Sequence, residues 1–556
     1  MKRDLKRLNS ETYDLLIVGA GIYGATLAWD AALRGLKVAL IDRGDFGAAT
    51  SANSLKTIHG GLRYLQQLDL ARMRESIRER QVLMRIAPHL VHPLPVLMPT
   101  YGFKLKSRPA MMAAMIANDI VGFDRNRLAD PQKYVPNGRT MSSRKLKELI
   151  PEYDKHNLNG GALWFDCQCH NTERLLLAYV ISAADRGADV ANYVRATGLL
   201  MRGDRVIGVH AEDTLNDERF DIRAAMVANE SGPWTDQLMA DVSPGKSRFL
   251  HSTALNLVID RPIADRFALG LSGPFRHVFA NGSVYNGFRV LFFAPWRGRT
   301  IIGTDHRPWS GDWAGFRANE KQIQQFLADI NQAYPAAGIT RQQVTFFNGG
   351  FLPMSGLNPR TGEVRLLRHY RIFDHEKEDG IAGILSVIGV KYTTARDVAA
   401  RTIDRLASRM GRTFPQGRTA TIRLHGGEID RFTDFIAAGV RKAPQGLDER
   451  VMRHLGYNYG SALDLILDYG KNDRQWLKKI SSSDEVLRAE IVHGVRQEMA
   501  QHLADVVLRR TDLGSAGSPG QAALEDTARI MAGELDWSDS RCRDEIEAVK
   551  RTYVPD

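Results

Sequence analysis

Residues 13–64 read YDLLIVGAGIYGATLAWDAALRGLKVALIDRGDFGAATSANSLKTIHGGLRY, and their first half admits few folds. Asp14 to Val18 is a short apolar run suited to a buried parallel strand. Gly19, Gly21 and Gly24 follow as G-x-G-x-x-G at a strand-to-helix turn. The first glycine permits the tight turn, the second lets a pyrophosphate approach the backbone, and the third lets helix and strand pack closely. Residues 25–34 are helix-compatible, so the free N–H groups of the first helical turn face the phosphates. Val38 to Ile41 is a second strand, and Asp42, 18 residues after Gly24, is placed to accept hydrogen bonds from a ribose. A glycine turn serving only packing is the bland alternative. Strand, helix and acid in the expected order favour a dinucleotide site.

A chain of 556 residues has room for two or three domains with sizeable cores. Its 44% apolar and 25% charged content is that of an ordinary globular protein. The N-terminal MKRDLKRLNSET is basic but lacks the apolar core of a secretory signal, and no apolar run is long enough to cross a bilayer. Cys167, Cys169 and Cys542 are too few for a disulfide framework, so a reducing, cytoplasmic setting is expected. The net charge of +11 comes from 75 basic and 64 acidic residues. No nucleic-acid motif accompanies it, so no nucleic acid is expected as partner. An anionic membrane surface and an anionic substrate both remain open.

Along the chain, residues 65–90 have helical periodicity, and Pro93, Pro95 and Pro99 then enforce an extended segment. In 101–123, Lys104, Lys106 and Arg108 precede a methionine-rich apolar run from Ala110 to Ala117. That suits an interfacial anchor on anionic lipid, or equally a core helix with a solvated basic rim. Residues 174–195 read as a helix followed by a small residue and a strand, and 205–229 as a hairpin turning at Asn216-Asp217. Short strands fill 252–310, an apolar strand spans 382–390, a helix begins near Thr394, and Arg412 to Gly427 reads as a linker. Residues 428–556 are helical by composition. The expected fold is mixed α/β. A split Rossmann-like domain over 13–415 is interleaved with mainly β segments at about 96–165 and 245–370, and a helical C-terminal domain follows over 428–556. Such interleaving fits a flavoprotein better than a nicotinamide dehydrogenase, because distant segments must return to hold a large extended flavin. Cys167-Gln168-Cys169-His170 offers no second ligand pair, so no metal site is expected. Trp296, Trp309 and Trp313 read as packing.

TSANSLKTIHGGLRYL (50–65), VANESGPW (227–234), IIGTD (301–305), LSVIGVKYTTAR (385–396) and VRQEMAQHLADVVLRRT (495–511) resemble, in order, the FAD-dependent glycerol-3-phosphate dehydrogenases of the D-amino-acid-oxidase-like superfamily. The resemblance covers nearly the whole chain and implies FAD as cofactor, a small anionic substrate, a membrane quinone or oxygen as electron acceptor, and peripheral attachment to the inner membrane. It places Ser51, Ser54, His59, Gly60, Gly61, Asn229, Gly232, Gly389, Lys391, Thr393 and Thr394, with Gly19, Gly21, Gly24 and Asp42, around the cofactor. A helix N-terminus near Thr394 would aim N–H groups at the flavin C2 carbonyl and stabilise the reduced ring.

On the substrate side the resemblance implies Arg63, Tyr64, Arg368 and Lys391 as binding residues, and His59, Lys391 and His251 as candidates for the catalytic base. His59 reads equally as a hydrogen-bonded structural histidine. Three departures stand out. Glu230-Ser231-Gly232 replaces the family's A-T-G, Val390 replaces a glycine, and a phosphate-binding arginine position carries Leu352. A family histidine is also replaced by Asn256, with His251 nearby. Loss of one charge-assisted contact is worth about 1.5–3 kcal/mol, or one to two orders of magnitude in affinity. The expected activity is oxidation of glycerol 3-phosphate to dihydroxyacetone phosphate. The alternatives are another anionic alcohol, a hydroxy acid or an amine, and, further off, a flavin-binding scaffold without catalysis. Nothing in the sequence fixes the oligomeric state, and a homodimer stays open.

Overall fold

In the computed structural model, which describes residues 1–102, 107–153, 155, 157–311 and 316–556, the chain threads two sheets alternately. The longer strands are, in chain order, β1 (Thr12–Val18), β2 (Val38–Ile41), β3 (Val91–Tyr101), β4 (Leu158–Cys169), β5 (Asp189–Ala191), β6 (Glu218–Asn229), β7 (Leu250–Ile259), β8 (Ala268–Val278), β9 (Val284–Trp296), β10 (Arg299–Trp309), β11 (Val344–Leu357), β12 (Arg371–Asp374) and β13 (Ile384–Ile388). The principal helices before the C-terminal region are α1 (Ile22–Leu33), α2 (Leu70–Ile86), α3 (Arg108–Val121), α4 (Thr172–Ala184), α5 (Glu320–Ala333) and α6 (Ala395–Met410).

The first sheet has the order β12-β13-β6-β1-β2-β5. Its inner pairs are parallel and β12 closes one edge antiparallel. Both faces are covered, which is why β1 and β2 read as unbroken apolar runs. Leu15, Ile17, Val38 and Leu40 pack under α1, α4 and α6. Leu16, Val18, Ala39 and Ile41 pack against the hairpin that leads into β6. Between β2 and β5 the chain leaves to build β3 and β4 into the second sheet, and between β6 and β12 it leaves again for β7 to β11. The second sheet runs β11-β7-β10-β9-β8-β3-β4, antiparallel except where β8 meets β3. Ile323, Phe326 and Ile330 of α5 close one face of it. Asn319 and Gln322 form a capping box at the start of that helix.

Three helices differ in extent from their sequence pattern. Residues 62–67 form a tight 3₁₀ turn, and α2 starts only at Leu70, where Asp69 accepts from the Arg72 N–H at 3.1 Å. α4 stops at Ala184, and Gly187, with φ +91°, turns the chain into β5. α3 is longer than the apolar run within it, because Ser107 caps it and Gly122 ends it. Lys104, Lys106 and Trp313 lie outside the described residues.

Helices from Phe432–Arg441 to Asp539–Arg551 pack around their own apolar clusters. They dock on the first sheet through buried charge. Asp45 accepts from Arg510 Nη1 and Nη2 at 2.7 Å and from Arg509 Nε at 2.5 Å, and Arg174 donates to both oxygens of Glu498 at 2.7 Å. Burial alone would raise the Asp45 carboxyl, but Arg510 and Arg509 outweigh it and hold the group far below the usual carboxylate range. Its contribution to stability is therefore complete above about pH 4 and is lost as pH falls further. Asp45→Asn takes the close carboxylate from the buried Arg510 and leaves Arg509 with Asp505 alone, and is expected to cost about 3–5 kcal/mol, read as a lower urea midpoint. Removing the exposed Arg450–Asp484 pair should cost about 1 kcal/mol at most.

Candidate functional site

A cavity of about 1040 Å³ runs from the C-terminal ends of β1 and β2 to the face of β7, β10 and β11. Its nucleotide end is built by the glycine turn. Gly19 has φ +107°, and a Cβ there would lie 2.5 Å from the Glu230 carbonyl oxygen, so only glycine fits. A Cβ on Gly24 would lie 1.8 Å from the Gly19 carbonyl oxygen, which makes Gly24 a packing residue and keeps it off the wall. At the start of α1 the Ile22 N–H donates to Ser51 Oγ at 3.0 Å, tying the loop to the helix N-terminus. Asp42 accepts from Ala20 N at 2.7 Å and Gly44 N at 3.0 Å, and burial pushes its carboxyl up to about 6 against these bonds.

At the other end β13 runs into Gly389, Val390, Lys391 and Tyr392, all on the wall. Tyr23 Oη accepts from Val390 N at 3.1 Å and Lys391 N at 3.2 Å and donates to the Lys391 carbonyl at 2.8 Å. Two N–H groups of this corner are thus held by a side chain from the glycine turn. Lys391 Nζ donates to Ser76 Oγ at 3.0 Å and lies 4.8 Å from the centre of the Tyr64 ring. Burial, then Arg72 and Arg63, lowers this ammonium to about 8. His59 lies beside Tyr64, and burial followed by Arg63, Lys391, Arg72 and Arg80 drives its imidazole well below the usual range.

Of the residues expected at the site, Gly19, Gly21, Asp42, Ser51, Ser54, His59, Arg63, Gly232, His251, Gly389 and Lys391 line the cavity together. Gly24, Gly60, Gly61, Tyr64, Asn229, Arg368, Thr393 and Thr394 do not. Gly60 donates to Asp166 Oδ1 at 2.5 Å, and Gly61 adopts φ +79°, so both shape the turn that presents Arg63. Tyr64 is buried beneath Lys391 and Arg72. Asn229 donates to the Thr235 carbonyl and accepts from Ser231, which fixes the 231–235 turn. Thr393 and Thr394 are buried behind Tyr392. Arg368 is exposed between β11 and β12.

Sequence reasoning missed Tyr23, Glu230 and His306, which also line the cavity. Glu230 Oε2 is buried without a hydrogen-bond partner, and burial raises its carboxyl well above the ordinary range. Such an orphaned atom beside Gly19 fits a ligand that brings its own polar groups. The replacement of the family's alanine by Glu230 was the available signal. Cys167 and Cys169 are buried on β4, and burial pushes the Cys167 thiol up to about 12. His454, Glu485 and Asp512 place ligand-type atoms within 4.8 Å of one another. Glu490 at 2.9 Å and Arg297 at 2.8 Å already engage His454 and Asp512, so this group closes on itself as ion pairs.

A glycine-turn nucleotide end joined to a wall on a second, antiparallel sheet defines a flavin-dependent oxidoreductase by class. Residues 14–390 match the FAD dependent oxidoreductase family, and 417–542 match the C-terminal domain of alpha-glycerophosphate oxidase. The chain belongs to the FAD dependent oxidoreductase family. It is 31% identical over 571 aligned positions to the glycerol-3-phosphate dehydrogenase of Synechocystis sp., covering 100% of this chain and 99% of that one. It is 29% identical to the mitochondrial glycerol-3-phosphate dehydrogenase of Bos taurus, over 98% of this chain and 73% of that one. The solved glycerol-3-phosphate dehydrogenase of Bacillus halodurans, complexed with FAD, superposes with a TM-score of 0.74 at 26% identity, over 98% of this chain and 95% of that one.

Because the folded chain keeps a proton on Glu230 that the unfolded chain releases above about pH 4, Glu230 lowers stability as pH rises towards its folded pKa. Glu230→Gln removes this uptake. Its advantage over the wild type in urea denaturation of the apoprotein should grow by about 1.4 kcal/mol per pH unit across that window. Parallel pH profiles would contradict a buried neutral acid.

Proposed function

We propose that this chain oxidises the secondary alcohol of glycerol 3-phosphate to dihydroxyacetone phosphate. The observation that carries it is one continuous cavity joining the Gly19–Asp42 nucleotide end to a cationic corner of Arg63 and Lys391. The full-length similarity to glycerol-3-phosphate dehydrogenases supports the same reading. FAD, when bound, supplies the acceptor for the carbinol hydride. Gly19, Gly21 and the start of α1 would hold its pyrophosphate, and Asp42 a ribose. Arg63 would grip the substrate phosphate, since a guanidinium fork matches that geometry, and Lys391 would add a point charge beside the reacting carbon. With Arg368 outside the cavity, the grip falls to these two residues.

Leu352 on the wall favours a second reading, a different anionic alcohol, hydroxy acid or amine. Anaerobic mixing with sn-glycerol 3-phosphate should bleach the bound flavin, and a spectrum that stays oxidised would rule the first reading out. Leu352→Arg should lower KM for the phosphorylated alcohol by about 10- to 100-fold, the worth of one restored charge-assisted contact.

Electron exit to a membrane quinone is consistent with α3. Met112, Ile116 and Ile120 are exposed along one side of its length and Phe123 just past its end, while Met115 is buried. Leu68 and Leu70 are also exposed. Among the described residues no helix is long and apolar enough to cross a membrane, so this face would lie in the interface. An Ile116→Asp, Ile120→Asp double variant should bind anionic phospholipid vesicles about tenfold or more weakly in co-sedimentation, while its flavin spectrum stays unchanged.

A further inference from the structure

We infer that His306, on the β10 wall of the cavity, is the group that accepts the hydroxyl proton of the substrate. The inference rests on the reading of the site as one that oxidises a phosphorylated alcohol.

Asn256 is held at both ends of its amide: Nδ2 donates to Asn348 Oδ1 at 2.8 Å and Oδ1 accepts from Thr304 Oγ1 at 3.0 Å. An amide takes up no proton near neutral pH. His306 stands two residues beyond Thr304, and side chains two apart on a strand share a face. The register pairs His306 with Ala254 of β7, and Ala254, Asn256, Thr304 and His306 together form one wall of the cavity.

Charge separates His306 from the other histidines. Burial lowers its imidazole to about 4, so it is neutral and able to accept a proton. The carboxylate of Asp305 on its own strand pulls upward, as does the Thr253 backbone of β7, while Arg63 from the 62–67 turn and Arg289 from β9 push downward. Arg289 is itself engaged by Asp305 and Asp329. A phosphate seated on Arg63 offsets the first of those cations and raises the proton affinity of His306 when substrate is present. A proton placed on His59 would instead face Arg63, Lys391, Arg72 and Arg80. His251 packs on the Phe249 ring, and the charge that acts on it is Asp236, with no phosphate-binding cation among its influences. Lys391, at about 8, is protonated at neutral pH.

In the resulting step the substrate O–H bond breaks and its proton bonds to an imidazole nitrogen of His306. The carbinol C–H bond breaks with its electron pair transferred as hydride to the oxidant FAD, and the C–O bond becomes a carbonyl. The imidazolium returns its proton to solvent as product leaves.

The test is anaerobic stopped-flow reduction of the holoenzyme by sn-glycerol 3-phosphate. His306→Asn is expected to slow flavin bleaching about 10²- to 10⁴-fold at saturating substrate. The flavin spectrum, the FAD dissociation constant read by flavin fluorescence, and the half-saturating substrate concentration should stay within a fewfold of wild type. His306→Ala, assayed with added imidazole, should recover at least tenfold, as a missing base does and a packing defect does not. Bleaching of His306→Asn within tenfold of wild type overturns the inference. So does slow bleaching that imidazole fails to restore in His306→Ala, or that comes with lost FAD. A wild type that stays oxidised overturns the substrate reading and this inference with it. A bleaching wild type beside a bleaching variant overturns only the role of His306.

Discussion

The site depends on the parallel contact between β1 and β6 at the floor of the cavity. There the Glu230 N–H donates to the Val18 carbonyl at 2.8 Å, the Gly19 N–H donates to the Ile41 carbonyl at 2.8 Å, and the missing Cβ of Gly19 lets the Glu230 carbonyl lie against it. Segments some two hundred positions apart meet at that point. β1 and β2 form only the start of a sheet, which β5, β6 and β13 complete when the chain returns from its two excursions. The second sheet is built in those excursions, so every return brings it against the strand ends. Interleaving is the way one chain places a nucleotide turn and a substrate wall on opposite sides of a single cavity.

That logic was legible wherever chemistry and local geometry coincide. Gly19, Gly21, Asp42 and Ser51 are close in sequence, and each has a function that the turn itself dictates. Lys391 and Gly389 were legible through the apolar strand before them. Several of the expected residues lie off the cavity wall for one shared cause. Tyr64 and Thr393 lie beside residues that reach the cavity, and Arg368 and Thr394 two positions from one, but which of them faces it depends on side-chain rotation set by tertiary packing. Tyr64 turns under Lys391 and Arg72, while Arg63 next to it faces out. Tyr23 sits at an unconstrained position of the glycine fingerprint, and only the arrival of residues 390–391 gives its hydroxyl a task. For α3 the sequence left anchor and core helix equally open, because periodicity shows that a helix has an apolar face without showing what covers it.

The positive net charge also resolves by location. Many of the basic residues are matched by carboxylates and add nothing to the excess, as where Asp45 and Glu498 dock the helical region on the first sheet. Another part is concentrated at the cavity. Arg43 stacks on Trp234 at 3.8 Å near the nucleotide end, and Arg63 and Lys391 stand at the other. This is the distribution expected for a site that takes anions at both ends, and it needs no nucleic acid to explain it.

The same cations shape the chemistry. In the proposed reaction, hydride acceptance would place negative charge on the cofactor, and fixed positive charge nearby lowers such a barrier without reorganising. Lys391 and Arg63 would provide that field, and the crowding of cations shows in the Lys391 ammonium lowered to about 8 and in a His59 that resists protonation. A field that favours the reduced product thus disfavours a base placed inside it. On the reading proposed above, proton and hydride would leave the substrate in different directions: the hydride towards the cationic corner, the proton towards a wall with a carboxylate behind it. Asp305 supplies that carboxylate on β10, on the opposite sheet from Lys391. On that reading, a cavity built between two sheets keeps the two developing charges apart.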